Sequence, residues 1–233
     1  MKQNYEIVDV CHTIHDGMIT YKGLPPPLIS DYLTRERSRE LYAPGTEFHI
    51  GKIEMIANTG TYIDSPFHRY SQGTDLAGLS LYSIANLEGI VIRCNADAAR
   101  AIGISAISSC EVKGKAVLFH TGWDMRWRTE SYSDGTHPFL TAEAAEFLAA
   151  NGAALVGIDS YNIDDTSTGE RPAHSVLLAN DIPIVEHLCS LGDLPDSGFR
   201  FFAVPVKVKK FGTFPVRAFG IVQKRETILN SRI

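Results

Sequence analysis

The chain has little cysteine and spends it without pattern. Cys11, Cys94, Cys110 and Cys189 stand far apart and form no Cys-x-x-Cys pair, which argues against a disulfide scaffold and against a thiolate metal site. A surplus of positive charge is also missing. Lys and Arg number 22 against 27 Asp and Glu, a formal charge of −5, the wrong sign for a partner with a phosphate backbone, so no nucleic-acid role is expected. No apolar run approaches a membrane span, and MKQNYEIVDV has no signal-peptide h-region, so no membrane association and a reducing cytoplasm are expected. Gly-x-Gly-x-x-Gly and P-loop patterns are absent, which leaves nucleotide cofactors unsupported. Ser160 in GIDSYN does not fit a Gly-x-Ser-x-Gly elbow, which disfavours serine-hydrolase chemistry.

What remains is an ordinary globular composition, 44% hydrophobic and 21% charged over 233 residues, enough for one well-cored domain spanning 1–233. Strand character is read at Tyr5–Ile14, Thr46–Asn58, Gly89–Arg93, Lys115–His120, Leu155–Ser160 and IPIVE (Ile182–Glu186). The apolar cores of KAVLFH and LVGIDS predict burial on both sheet faces. FRFFAVPVKV and FPVRAFGIVQ are expected to form two long antiparallel neighbours. A helix is predicted over Ala142–Ala150, with Thr141 as N-cap and Asn151-Gly152 as its stop, and a second near His174–Ala179. Residues 31–45 are read as a solvated surface excursion. The sum is a single α/β domain with a mixed sheet.

The chemistry concentrates in ANTGTYIDSPFHRY, Ala57–Tyr70, where Gly60 and Pro66 break regular structure and Asn58, Tyr62, Asp64 and His68 are expected where a strand frays into a loop. A carboxylate and an imidazole on an anchored loop form a common reactive site, although Asp64 has an equally simple reading as a turn cap before Pro66. Other strands also end in reactive residues. Glu186 closes IPIVE, His174 opens the preceding helix, and Asp159 closes LVGID. Strand ends converge in α/β folds, so Asp64, His174 and Glu186 are candidates to meet and hold one divalent ion with a position open for water. Each has a structural alternative, His174 as a hydrogen-bonded helix-start residue and Glu186 as a surface charge paired with a lysine. Asp124, Asp134, His137, His12 and His15 are weaker candidates. Asp164-Asp165 reads as a solvated loop, and His49 and His120 read as structural. His187 has only its adjacency to Glu186.

In order, DVCHTIHDGM, Asn58–His68, HTGW (His120–Trp123), VGIDS, Ala173-His174, IVE (Ile184–Glu186) and PVRA (Pro215–Ala218) resemble the metal-dependent cyclase/hydrolase family that includes bacterial kynurenine formamidase and is related to isatin hydrolase. The family marker is His-x-Gly-Thr-His-x-Asp-x-Pro-x-His. The resemblance implies a layered β/β/α, swivelling-type fold and hydrolysis of a small formamide or cyclic amide. It also implies Asp64, His174 and Glu186 as ligands of zinc or manganese, and His68 as the proton-transfer residue. The two marker histidines that would complete a second metal site are Asn58 and Tyr62 here. Asn58, Phe67 and Trp123 are expected to contact substrate. Tyr62 is expected to hold Asp64, to bond substrate, or to share acid/base duty with His68 in a metal-free enzyme. A non-hydrolytic ligand-binding protein is the alternative of a different class. The resemblance further implies a homo-oligomer, a dimer or larger.

Overall fold

The structure, a computed structural model, describes residues 4–94 and 99–224. Its frame is one nine-stranded mixed sheet. In chain order the strands are β1 (Tyr5–Asp9), β2 (Leu28–Leu33), β3 (Ile50–Glu54), β4 (Tyr62–Asp64), β5 (Leu87–Arg93), β6 (Ala101–Ile102), β7 (Lys115–His120), β8 (Phe139–Leu140), β9 (Leu155–Ile158), β10 (Ile184–Glu186), β11 (Phe199–Phe202), β12 (Thr213–Pro215) and β13 (Phe219–Gln223). The large sheet runs β1-β13-β11-β5-β7-β9-β10-β4-β12. Its centre, β5-β7-β9-β10, is parallel, and the flanking pairs are antiparallel.

The parallel centre follows from the sequence. Val117, Phe119, Val156, Ile158 and Ile184 enter a core on one face of the sheet, while Leu118, Leu155 and Val185 enter a second core on the other. Successive residues of a strand alternate faces, so two-sided burial demands a continuous apolar run. The first core is closed by helices α2 (Ala142–Ala150) and α3 (Pro172–Ala179), which contribute Ala144, Ala145, Leu148, Leu177 and Leu178. Ile63 of β4 and Phe201 of β11 share the second core although four strands lie between them in the sheet order. The sheet therefore curls over its own second face, giving the β/β/α layering.

Several expectations hold to the residue. β7 and α2 have the predicted limits, and the Thr141 hydroxyl accepts the Ala144 N–H as an N-cap. Others shift. The strand expected over Thr46–Asn58 shrinks to β3, which pairs only with β2. This two-stranded ribbon encloses the short helix Arg35–Ser38 and leaves Leu28, Ile29, Tyr32, Ile50 and Ile53 exposed. It is thus less hydrophilic than a solvated excursion. The strand that carries the chemistry is β4, which lies inside the stretch read as loop. Three residues are too few to show a period in sequence, and β4 exists because β10 and β12 flank it on both sides. Neither long C-terminal strand forms as expected: the first is shortened to β11, and the second is divided between β12 and β13. β11 pairs antiparallel with β13, and the chain between them detours through β12 to reach β4.

Candidate active site

Strand register assembles the site. In β4 the side chains of Tyr62 and Asp64 share a face, and Ile63 goes to the opposite core. Glu186 of β10 lies opposite Tyr62, while Thr213 of β12 lies opposite Asp64. The helical layer covers this face, and α3 brings His174 over it. His68 arrives from the 3-10 turn Pro66–His68 that follows β4. Gly60 makes the approach to β4 possible, since its φ of +66° suits glycine and its N–H donates to the Thr20 hydroxyl at 2.7 Å.

Hydrogen bonds fix the orientation of both imidazoles. His174 Nδ1 lies 2.6 Å from Asp164 Oδ2. With Nδ1–H donating there, Nε2 faces Asp64 Oδ2 at 3.7 Å and Glu186 Oε1 at 3.6 Å. The Thr213 hydroxyl gives its proton to Asp64 Oδ1, so His68 Nδ1–H donates to Thr213 Oγ1 at 2.7 Å and His68 Nε2 keeps a free lone pair. Glu186 is held on both oxygens, by the Ile163 N–H and the Tyr62 hydroxyl, each at 2.7 Å. Behind them runs a buried chain. The Tyr132 hydroxyl meets His187 Nδ1 at 2.8 Å, and His187 Nε2 meets Tyr62 Oη at 3.3 Å.

The electrostatics of this cage call for a cation. Burial raises the Glu186 carboxyl above its ordinary range. Burial works to lower the His174 pKa, but Glu186, Asp164 and Asp64 outweigh it and push the imidazole up to about 10. The fully buried Asp64 Oδ2 has no hydrogen-bond partner among the described residues, an expensive state for a carboxylate oxygen unless a positive charge satisfies it. Donor atoms of Asp64, His68 and His174 lie within 4.8 Å of one another. An orphaned carboxylate oxygen beside imidazole nitrogens and a second carboxylate fits one divalent ion that favours nitrogen and oxygen donors. Tyr62 is a poor additional ligand. Burial raises its phenol well above the ordinary value, so it stays protonated and donates to Glu186.

These groups line a pocket of about 250 Å³, shared by Asn58, Tyr62, His68, His174 and Glu186. Of the residues expected to contact substrate, Asn58 lines this pocket. Phe67 and Trp123 are not among the lining residues. Phe67 precedes His68 on a turn of three residues per cycle, which aims the two side chains about 120° apart. Trp123 follows Gly122, whose left-handed backbone directs the indole into a cluster with Tyr132 and Tyr161, where Nε1 donates to the Tyr132 carbonyl at 3.0 Å. Tyr62 supports Glu186 rather than Asp64.

Asp164 corrects the sequence reading more sharply. Instead of a solvated loop it is fully buried, accepting the Ala173 N–H at 2.6 Å and the His174 N–H at 3.1 Å while orienting the His174 ring. The buried His137 supports that loop through the Asp164 carbonyl at 3.0 Å. Asp134 caps a turn as expected, with the Thr136 N–H and hydroxyl. Asp159 lies apart from the pocket, bound by Thr121 and Gly122, and His12 stacks on Trp127 with ring centroids 3.9 Å apart. Sequence reading missed Thr213, whose role depends on strand register, and found for His187 no more than its adjacency to Glu186. It also missed Arg69, Asn162 and Arg171, which line the pocket.

The chain is similar to kynurenine formamidase of Bacillus cytotoxicus, 27% identical over 218 residues that cover 91% of this chain and 96% of the relative. It is similar to kynurenine formamidase of Geobacillus thermodenitrificans, 28% identical over 183 residues, 78% and 84% of the two chains. Its fold superposes on isatin hydrolase A of Labrenzia aggregata with a TM-score of 0.80 at 22% identity, covering 94% of each chain. The profile of the putative cyclase family matches residues 8–165, a span that contains β4, His68 and Asp164, and the chain belongs to that family.

Proposed function

We propose that this protein is a metal-dependent hydrolase of non-peptide C–N bonds, acting on a small formamide or cyclic amide. The observation that carries the proposal is the convergence of the unpartnered Asp64 Oδ2 and the inward-facing His174 Nε2 beside Glu186, with the free His68 Nε2 at the same pocket. The names of the relatives, kynurenine formamidase, and of the structural neighbour, isatin hydrolase, support the same reaction class.

Asp64, His174 and Glu186 would hold one zinc or manganese ion, which supplies Lewis-acid polarisation of a carbonyl and makes a water more acidic. His68 Nε2 takes the proton of the attacking water as general base and returns it to the departing nitrogen. Thr213 keeps the His68 tautomer fixed throughout, because its own proton is committed to Asp64. Asp164 does the same for His174, an outer carboxylate that orients a ligating imidazole. Tyr62 holds Glu186 in place and is a positioning residue, and Asn58 offers its amide to the substrate.

We further propose a homo-oligomer working in the cytoplasm. The exposed Leu28, Tyr32, Ile50 and Ile53 on the β2–β3 ribbon support self-association. The unpaired thiols of Cys11, Cys94, Cys110 and Cys189 support a reducing compartment. Among the described residues no helix is long and apolar enough to cross a membrane.

The test is metal content by mass spectrometry beside hydrolysis of N-formyl aromatic amines. About one zinc or manganese per chain is expected, lost in Asp64→Ala, with turnover abolished by a chelator and restored by the same ion. Full turnover by metal-stripped protein would refute the assignment.

A further inference from the structure

The inner part of the pocket is explained by the reaction, but its rim is not. Two arginines, Arg69 and Arg171, line the pocket together with His68 and Glu186. They also line an adjoining outer cleft to which none of the inner residues contributes. Glu186 and His174 are buried, Arg171 is half-buried and Arg69 is exposed. The arginines therefore stand at the mouth, between solvent and the reactive end.

Among the described residues neither arginine is paired with a carboxylate. Among the described residues the ion pairs of arginine involve Arg39, Arg93, Arg100 and Arg217. Glu170 lines the outer cleft but pairs with neither arginine at the mouth. Arg171 is nevertheless held rigidly. Its Nη1 donates to the carbonyls of Asp165 at 3.2 Å, Thr168 at 2.8 Å and Glu170 at 2.5 Å, which fixes the guanidinium beside the Tyr21 phenol, a further hydrogen-bond neighbour at the pocket. Arg69 is steered by a weak bond from Nε to the Ser175 hydroxyl at 3.3 Å, and among the described residues its terminal nitrogens have no hydrogen-bond partner. Two guanidinium groups with unspent donors at one opening form a receptor for a planar anion, which arginine binds bidentately. On a chain of net charge −5 they also create the local positive field an anion needs on approach.

We infer that the substrate of the proposed hydrolase carries a carboxylate, clamped between Arg69 and Arg171 while its amide reaches His68 and Asp64. The inference rests on the hydrolase reading for the amide end only. Tyr21 and Leu24 line the same pocket and supply an apolar wall for the middle of the molecule. A volume of about 250 Å³ falls below that of usual drug-sized sites, so the acid is compact, of the size of an N-acylated aminobenzoate.

The test compares anthranilate with anthranilamide, which differ in charge at one group, by calorimetric titration of the metal-loaded protein. Anthranilate is expected to bind at least about tenfold more tightly than anthranilamide, with an advantage that shrinks as salt rises. Arg69→Gln and Arg171→Gln should each remove most of that advantage and leave anthranilamide unchanged. The exposed Arg69 gives the variant least able to disturb folding, and Arg171→Lys should restore part of the preference. Equal affinities in the unaltered protein, or a carboxylate preference that survives both substitutions, would overturn the clamp. Turnover of N-formylanthranilate and formanilide is scored separately. A clamp without hydrolysis of either compound removes only the hydrolase reading, and hydrolysis without a carboxylate preference removes only the clamp.

Discussion

Replacing Tyr62 by Phe separates a positioning role from a catalytic one, and the structure sets the size of the effect. Tyr62 is almost completely buried, and Phe retains its ring, so the substitution opens no large cavity. It removes one hydroxyl with two partners. Glu186 Oε2 loses a 2.7 Å bond, an interaction with an acidic group worth about 2 kcal/mol, while the buried His187 Nε2–H loses its acceptor at about 1 kcal/mol. Burial lowers the His187 pKa to about 3, so the ring cannot escape the loss by taking up a proton at neutral pH. The Ile163 N–H still holds Glu186 Oε1, and the carboxylate therefore loosens without leaving. A total near 3 kcal/mol corresponds to a fall in Tm of about 6–12 °C for a chain of this size. The assay is thermal unfolding of metal-stripped protein, so that metal binding does not mask the change, beside kcat of the loaded enzyme. A positioning role predicts this destabilisation with kcat reduced less than about tenfold. A general-acid role predicts a loss of about 10²–10⁴ in rate. An unchanged Tm with a collapse in kcat would refute the reasoning.

Three further outcomes follow from the same geometry. His68→Gln should lower kcat by about 10²–10⁴ while metal content stays near that of the parent, because Asp64, His174 and Glu186 remain. Loss of the ion by mass spectrometry would instead make His68 a ligand, as its proximity to Asp64 and His174 permits. Asp164→Asn should weaken metal affinity about 10–100-fold, the usual cost of disturbing a carboxylate behind a ligating imidazole, as read by competition with a chromogenic chelator. Asp159→Asn should flatten the pH dependence of stability. Burial raises the Asp159 carboxyl from its usual 3.8 to about 7, so the folded state binds this proton more tightly than the unfolded chain. The stabilisation is complete below about pH 4 and disappears as pH rises through about 7, an upper limit of about 4 kcal/mol. Urea unfolding at pH 5 and pH 8 should show a larger loss in the parent than in the variant, and equal losses would refute the assignment.

The sequence and the site part company at residues whose meaning depends on a distant partner. β7, β9 and α2 were legible because burial on two faces, a cap and a stop each leave a local mark. The inner carboxylates and His174 were legible as strand-end and helix-start residues, strengthened by the family's order of motifs. β4 was not, because a three-residue strand is too short for periodicity and is specified by the pairing of β10 and β12 around it. That one error concealed Thr213, which has no local signal for a role in the site and acquires it only by lying opposite Asp64. Asp164 was misread for a related reason. Two acidic residues in a row suggest solvent, yet Asp164 turns inward to cap α3 and Asp165 stays at the surface.

Tyr62 shows how such pairings alter chemistry within a family. At a position where the marker carries histidine, the phenol lies opposite Glu186 and its O–H donates to that carboxylate. The hydroxyl thereby consumes one acceptor of Glu186 and offers no lone pair matched to a metal, while His187 fills its remaining acceptor position from behind. If the marker histidine is a ligand, as the resemblance implies, the substitution does more than delete it. It occupies the side of the cage where a second ion would need donors, and leaves Asp64 Oδ2 and His174 Nε2 as the open side. On that hydrogen-bond arithmetic the proposed site would hold one ion, not two. Zinc titration of metal-stripped protein should saturate at about one equivalent with no second binding step, as expected for a single site of this donor type.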